Sequence, residues 1–382
     1  MAIAWEDDKM IPLFRPHFRV EESLESIRGT LEKGWTGQGD LTDVFEDAWS
    51  KFVGRKNCVM LNSASAALHL AIESMKIARE WGPDSEVIST PLTFVSTNHA
   101  ILWSGLVPVL ADVDDDLCLS PESVLASITQ KTKAVIFVAI GGGSGRIGEI
   151  EKICRDRGIA LILDASHASG STLSGRAIGI AFDAVCYSFQ AVKNLPTGDS
   201  GLLSMLLDGE HAIVKRLSWL GISESTFART KPGGYKWEYD VEYAGYKYNA
   251  NSVMAALALV SLKYLNEDNQ LRRSMVHQYA KLIGKSASVQ IISQSNSEES
   301  ARHLFQVYVR DRKRVASAMA ENRIGIGVHY RSNCEYPMYQ HFKEKTPNAT
   351  HYSEGIVSLP MYIGLTTDEQ SKIVQVLVNA SL

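Results

Sequence analysis

The sequence predicts an α/β protein whose large domain has a mainly parallel, doubly wound sheet flanked by helices, followed by a smaller C-terminal α/β domain. Two observations support this prediction. Five short apolar runs lie between residues 86 and 189 and mostly alternate with helical patterns, as buried parallel strands do. Beyond Gly233 the composition changes to an aromatic, Lys-rich and Gly-rich segment, and a long helical stretch follows. The 382 residues suffice for two domains, predicted at residues 1–248 and 249–382.

The elements can be assigned in chain order. Residues 21–51 have a helical pattern that the loop GWTGQG interrupts, and NCVML and AALHLAIESM predict a first strand and its helix. The five runs are EVIST, VPVLADV, AVIFVAI, ALILDA and AVCYSF, with helices such as TFVSTNHAILWSG and GEIEKICRDRG between them. A sixth run, GLLSMLL, follows a loop. We expect KPGGYKWEYDVEYAGYKYNANS to be a long ordered loop, and strands of the second domain near HLFQVYVR and GIGVHY.

Composition narrows the class of partner. The formal net charge of −4 and a pI near 6.2 give no electrostatic reason to expect nucleic acid or an anionic membrane as partner. The five cysteines show no spacing typical of a metal site, so no metal is expected, and they fit a reducing compartment. The first residues do not resemble a secretory signal, and no apolar run approaches the roughly 20 residues of a membrane span. We therefore predict a cytoplasmic protein.

The stretch GSGRIG, residues 143–148, matches the glycine pattern of dinucleotide-binding folds. An apolar run precedes it, a helical pattern follows it, and Asp164 lies about 20 residues beyond Gly143. Such folds usually place this motif on their first strand–helix unit, whereas here at least three strand–helix segments come earlier. We favour a glycine-rich turn that needs unusual backbone angles. An oxidoreductase that binds NAD and a loop that faces the substrate remain the alternatives.

A second chemistry competes for the same acidic residue. Asp164 ends the run ALILD, and Lys193 lies in SFQAVKNLPTGDSG after the next run, so both follow the carboxyl ends of neighbouring predicted strands and should share one crevice. A lysine and a carboxylate there suggest pyridoxal phosphate, with the amine as Schiff base and the carboxylate on the pyridine nitrogen. The residues 62–65, NSAS, precede a helix and offer a phosphate cradle, and Phe94 is an aromatic for ring stacking.

These residues stand in an order that resembles a known family. The matching blocks extend over nearly the whole chain, so the sequence resembles the DegT/DnrJ/EryC1/StrS sugar aminotransferases, which are fold-type I pyridoxal phosphate enzymes. The blocks are IPLFRP, GWTGQG, LNSASAALHLA, EVISTPLTFVSTNHAILWSGLVPVLADVD, LILDASHASGS, YSFQAVKNLPTGDSG, YDVEYAGYKYNANSVMAALAL, IGVHY and SLPMYIGLTTDE.

The resemblance implies a role for each site residue. Lys193 would form the internal aldimine and then move the proton between C4′ of the cofactor and the sugar carbon. Asp164 would pair with the pyridine nitrogen, His167, where relatives often have Gln, would reach the phenolic oxygen, and Phe94 would stack on the ring. The phosphate would be held by Ala64, Ser65 and Ser188 and, from a second subunit, by Asn249 and Lys247, while loops with Trp35, Thr36, His329 and Tyr330 would approach the sugar. The resemblance thus implies a homodimer with shared active sites.

The predicted activity is transamination. L-Glutamate would convert the cofactor to pyridoxamine 5′-phosphate, and a keto sugar, linked to a nucleoside diphosphate, would then receive the amino group. Lys193 must be neutral to act as base, and burial should lower its pKa. The alternatives are a pyridoxal-phosphate-dependent sugar dehydratase, whose relatives carry His in place of the lysine, the NAD-binding oxidoreductase and a non-catalytic pyridoxal phosphate sensor. The sequence leaves the nucleotide, the sugar or cyclitol and the aminated carbon open, and Arg146 and Arg331 are further candidates for the acceptor.

Overall fold

The computed structural model describes residues 10–224, 226–229 and 237–382. The helices are α1 (Val20–Glu32), α2 (Asp40–Val53), α3 (Ala64–Ala78), α4 (Val95–Trp103), α5 (Pro121–Ser127), α6 (Ile147–Arg157), α7 (Asp208–Ser218), α8 (Thr226–Arg229), α9 (Ser252–Ile283), α10 (Arg312–Glu321), α11 (Pro347–Gly355) and α12 (Thr367–Ser381). The strands are β1 (Cys58–Leu61), β2 (Glu86–Ser89), β3 (Val107–Leu110), β4 (Thr132–Val138), β5 (Ala160–Asp164), β6 (Thr172–Leu173), β7 (Arg176–Ala177), β8 (Ala184–Ser188), β9 (Gly201–Met205), β10 (Val289–Ile291), β11 (Phe305–Val309) and β12 (Ile356–Leu359).

The main sheet has seven strands in the order β1-β9-β8-β5-β4-β2-β3. Only β9 runs antiparallel to its neighbours, β1 and β8, so the prediction of a mainly parallel sheet is confirmed. The strand β9 is GLLSM of the sixth apolar run. It can pair antiparallel because a loop leads into it, whereas a parallel pair needs a longer crossover, usually a helix.

Helices cover both faces of this sheet, which is why its strands read as continuous apolar runs. Alternate residues of β4 enter different cores: Val135 and Phe137 belong to the core that contains Phe45 of α2, whereas Ile136 belongs to the core that contains Leu68 of α3. All of these side chains are fully or almost fully buried. The two-residue period of a strand thus divides one apolar run between two layers of helices.

The smaller sheet, β10-β11-β12, is antiparallel and packs with α10 and α12. The predicted strand near HLFQVYVR is confirmed as β11, but the strand near GIGVHY is wrong. The described residues there form two isolated bridges, Gly327 with Ser358 and, just before the segment, Ile324 with Ile11. The N-terminal segment occupies the space beside it, because a Cβ on Gly327 would lie 2.5 Å from the side chain of Leu13.

The long helix α9 belongs to both cores. Its first half contributes Ala255 and Ala258 to the core beneath the main sheet, and its second half contributes Tyr279 and Ile283 to the core of the small sheet. The division at residues 248 and 249 therefore stays a prediction. Of the predicted long loop, residues 237–250 contain only isolated bridges, and residues 230–236 lie outside the described part. No helix of the described residues is long and apolar enough to cross a membrane.

Candidate active site

A cavity of about 400 Å³ opens where the carboxyl ends of the parallel strands meet. Asp164 is the last residue of β5 and Ser188 the last of β8, and these strands are neighbours in the sheet. Nine of the thirteen predicted site residues line this cavity, namely Ala64, Ser65, Phe94, Asp164, His167, Ser188, Lys193, His329 and Tyr330. Lys193 and Asp164 thus share one cavity, as strand order predicts.

The Asp164 carboxylate is buried and held at both oxygens. The Thr97 hydroxyl donates to its Oδ2 over 2.8 Å, and the backbone N–H of Ser166 donates to its Oδ1 over 3.1 Å. Thr97 also contacts the Thr93 hydroxyl at 2.9 Å. A fixed carboxylate at a strand end suits a cationic ring nitrogen, because buried charges are stable only when paired.

Lys193 supplies the amine. Burial lowers the pKa of Lys193 from 10.5 to about 8, although the charge of Asp164 opposes the change. A useful fraction of the amine is therefore neutral near pH 7, as a nucleophile or base requires. The next residue, Asn194, is buried and anchors the loop, since its amide donates to Asn269 and to the Ala301 carbonyl at 2.7 Å each.

His167 is buried and neutral, because burial and the charge of Lys193 hold its pKa well below the usual value. The backbone N–H of Gly141 donates to its Nδ1 over 3.2 Å, and its Nε2 lies 3.0 Å from the Tyr330 hydroxyl. Since Nδ1 accepts, the proton is on Nε2, which donates to Tyr330. Burial also raises the pKa of Tyr330, so its own hydroxyl proton stays on and is available to another acceptor.

The N-terminus of α3 lies at this cavity, where the sequence predicts a phosphate cradle. Ser63 caps the helix by accepting from the N–H of Ala66, whereas the N–H groups of Ala64 and Ser65 come earlier in the first turn and have no partner inside the helix. Gly201 allows this approach, because a Cβ there would lie 2.5 Å from the Ser63 carbonyl carbon. Free N–H groups and the positive end of a helix bind phosphate.

Phe94 is the exposed aromatic of the cavity. Its side chain is 57% exposed although it stands at the start of α4, directly after the buried Thr93. An amine, a carboxylate, a phosphate cradle and an exposed ring around one cavity match the groups of pyridoxal phosphate. The residues present therefore fit this cofactor, and the donor set offers no comparable arrangement for a metal, since the described residues contain no cluster of metal ligands.

The other four predicted residues lie elsewhere. Trp35, Thr36, Lys247 and Asn249 line a second cavity of about 330 Å³. The amine of Lys247 sits 3.3 Å above the Trp219 ring, and burial lowers its pKa. Three buried polar atoms at this cavity have no partner among the described residues: Gln38 Oε1, Trp219 Nε1 and Asn249 Oδ1. Within one chain these residues do not line the cavity of Lys193.

The GSGRIG stretch is a packed turn, which contradicts both of its functional alternatives. Gly145 has a φ of +48° and a Cβ there would lie 2.6 Å from that of Cys118, so glycine is required for packing. The N–H of Gly143 is bonded to Ile140 and that of Ser144 to Asn296. These buried donors cannot bind a pyrophosphate, and no residue of the stretch lines the cavity.

The two arginines considered for the acceptor are also bonded elsewhere. Arg146 forms ion pairs with Glu122 and Glu149 on the surface, and Arg331 pairs with Glu335. Neither arginine lines the cavity of Lys193. The sequence interpretation missed other lining residues, among them Thr93, Ser166, Gln190, Asp199 and Ser200. The only signal for Thr93 and Thr97 was their spacing in TFVST, which puts two hydroxyls on one face of a helix start.

Comparison with known proteins agrees with this geometry. The model of the DegT/DnrJ/EryC1/StrS aminotransferase family matches residues 18–378. The spore coat polysaccharide biosynthesis protein SpsC of Bacillus subtilis (strain 168) is 33% identical over 369 residues, which cover 93% of each chain. The putative sugar aminotransferase Spr1654 of Streptococcus pneumoniae in its PMP form superposes with a TM-score of 0.88 at 27% identity, covering 97% of this chain and 99% of that one. The sugar aminotransferase CalS13 of Micromonospora echinospora gives 0.87 at 26% identity, covering 97% and 100%.

Proposed function

This chain belongs to the DegT/DnrJ/EryC1/StrS aminotransferase family and is a pyridoxal-phosphate-dependent sugar aminotransferase. We propose that it moves an amino group from L-glutamate to a nucleotide-linked keto sugar. The observation that carries the proposal is one cavity that joins a lysine whose pKa is lowered to about 8 to a fixed buried carboxylate. When bound, pyridoxal phosphate supplies an electron sink for the carbon that loses its proton.

Each residue around the cavity has a separate role in binding the cofactor or moving a proton. Lys193 holds the cofactor and, as the neutral amine, moves a proton to and from the reacting carbon. Asp164 would pair with the ring nitrogen, Phe94 would cover one face of the ring, and Ala64, Ser65 and Ser188 would bind the phosphate. His167 and the Tyr330 hydroxyl would serve the phenolic edge as a pair, because the imidazole proton is already donated to Tyr330. His329 and Tyr330 also approach the sugar.

A homodimer completes the site. Trp35, Thr36, Lys247 and Asn249 would serve the cavity of the neighbouring subunit, because in their own chain they line a different cavity. The unpartnered Asn249 Oδ1 and the amine of Lys247 are supporting observations, since each still offers a polar group to a ligand. The buried, free state of all five cysteines supports a reducing, cytoplasmic location.

The alternatives have less support. A dehydratase of this family would carry histidine in place of Lys193. The oxidoreductase required a free glycine turn, and the N–H groups of Gly143 and Ser144 in that turn are bonded inside the protein.

A half-reaction tests the proposed substrates. The holoenzyme is treated with L-glutamate until its visible band disappears, and the product is freed of glutamate. Nucleotide-linked keto sugars, free keto sugars and a keto-cyclitol are then added separately. We expect the band to return only with a nucleotide-linked keto sugar, and Lys193→Ala to show neither change. Return of the band with the cyclitol alone, or a deoxy product without nitrogen, would contradict the proposal.

A further inference from the structure

We propose that Thr97 is a positioning residue that fixes the Asp164 carboxylate for the cofactor ring, and that Thr93 positions Thr97 in turn. The inference rests on the pyridoxal phosphate part of the proposed function and is independent of the amino donor and the sugar. Thr97 contacts Asp164, and its effect on the ring passes through that carboxylate.

The contacts form a short buried chain. Thr97 is fully buried and its hydroxyl donates to Asp164 Oδ2 over 2.8 Å. Thr93 is 2% exposed and its hydroxyl lies 2.9 Å from that of Thr97. Thr93, Thr97 and Asp164 are each at most 5% exposed, so the low local dielectric strengthens the hydrogen bonds between them.

The number of hydroxyl hydrogens fixes which group donates in each of these hydrogen bonds. A threonine hydroxyl has a single hydrogen, and that of Thr97 is used by Asp164. At the other contact Thr97 must therefore accept, and Thr93 must donate. The donation by Thr93 polarises the Thr97 hydroxyl and strengthens its bond to the carboxylate. With the Ser166 N–H on Oδ1, donors grip both oxygens and stop the carboxylate from rotating.

The Thr97 hydroxyl does not cap its own helix, so helix capping does not explain why a threonine stands at this position. It stands in the first turn of α4, where a threonine usually bonds a nearby backbone group, but its partner is 67 positions away. The loop before it is anchored as well. The buried Asn333 amide donates to the Thr93 carbonyl over 2.8 Å, and Asn98 bonds both Asn333 and the Thr90 carbonyl. Phe94 lies on the same loop, so the ring face and the carboxylate are positioned together.

Two substitutions separate the hydroxyl from the shape of the side chain. Thr97→Val removes the hydroxyl and keeps the β-branch, whereas Thr97→Ser keeps the hydroxyl. For each holoenzyme we would measure the Kd of pyridoxal phosphate and the pH midpoint of the visible band. We expect Thr97→Val to weaken binding about tenfold, as loss of a hydrogen bond to a charged group does, and Thr97→Ser to stay within about twofold of the wild type.

The pH midpoint distinguishes positioning from packing. A poorly held carboxylate keeps less of the ring nitrogen protonated. A neutral ring withdraws fewer electrons from the Schiff-base nitrogen of Lys193, so the pKa of that nitrogen, which sets the pH midpoint of the visible band, rises. Thr93→Val should move both quantities in the same direction by a smaller factor. Thr30→Val is the matched control, because Thr30 is a buried helical threonine whose hydroxyl bonds only the backbone carbonyl of Ser26 among the described residues.

Each outcome decides the proposal. An unchanged Kd and midpoint in Thr97→Val would overturn it, and so would equal losses in Thr97→Ser, which would assign the effect to packing. If Thr97→Val does not fold, Thr93→Val decides, and no change there overturns the proposal. Neither measurement uses a sugar or an amino donor, so a wrong substrate assignment leaves this test intact.

Discussion

The backbone N–H of Gly141 donates to Nδ1 of His167, and this contact decides which imidazole nitrogen carries the proton. Two N–H groups cannot face each other at 3.2 Å, so the proton is on Nε2 and points to Tyr330. The side chain at position 167 must therefore accept at one end and donate at the other. Glutamine meets both requirements.

His167→Gln should consequently preserve the site, whereas His167→Leu should not. Leucine leaves the Gly141 N–H and the Tyr330 oxygen without this partner in a buried place, which costs about 1–3 kcal/mol of unfolding free energy. Glutamine should stay within about 1 kcal/mol of the wild type. Urea unfolding of the apoproteins checks both values. Equal losses in the two variants would mean that ring packing, and not the pair of hydrogen bonds, is what position 167 provides.

The amine of Lys193 should make the stability of the apoprotein depend on pH. Its pKa is lowered to about 8 in the folded state and is near 10.5 when the chain unfolds. Below pH 8 the folded protein must hold a partly buried charge, and this penalty falls as the pH rises from 8 towards 10.5. Lys193→Met removes it, so the variant should be more stable than the wild type at pH 7, by up to about 3 kcal/mol.

Unfolding curves of both apoproteins between pH 7 and pH 10 measure this difference. The two free energies of unfolding should approach each other as the pH rises, because the wild type loses its penalty and the variant has none to lose. A difference that stays constant over this range would contradict the lowered pKa of Lys193.

Two glycines of the GSGRIG stretch should respond to alanine in opposite ways. Gly145→Ala introduces a Cβ 2.6 Å from Cys118 Cβ at a positive φ, and we expect a loss of about 2–4 kcal/mol. Gly148 has no atom within 4 Å of such a Cβ and lies in α6, so Gly148→Ala should gain about 0.5–1 kcal/mol. Thermal unfolding of both variants measures the contrast. A rise of the wild-type Tm on adding NAD would show that the protein binds the dinucleotide and would support the oxidoreductase alternative.

Shared active sites should allow two inactive variants to complement each other. Lys193→Ala lacks the amine, and Asn249→Ala lacks a group proposed to serve the neighbouring subunit. A mixed dimer then has one site with both defects and one intact site. Random reassembly of an equal mixture should restore about a quarter of the wild-type activity. Activity that stays at the level of the separate variants would mean that Asn249 serves its own chain.

The chain order of strands and helices was predictable because it follows from local patterns. Apolar runs bounded by turns predicted the strands of the main sheet, and since parallel strands end at the same edge, Asp164 and Lys193 were expected in one crevice. Local pattern failed at GIGVHY, where Gly327 forms one bridge to Ser358 and Ile324, just before the segment, forms one to Ile11, but no strand is present. The local pattern was also uninformative for GSGRIG, because a match to a motif does not predict which tertiary neighbours surround each glycine.

By itself, then, the sequence predicted the α/β class, the cofactor and the shared cavity of Lys193 and Asp164. Strand ends and turns can be predicted because each depends on a short stretch of sequence. Only the tertiary structure decided that Thr97 grips Asp164, that His167 donates to Tyr330 and that Cys118 fills the space beside Gly145. These contacts join residues many positions apart. Their geometry depends on how packed elements orient each side chain, and no local period of the sequence carries that information.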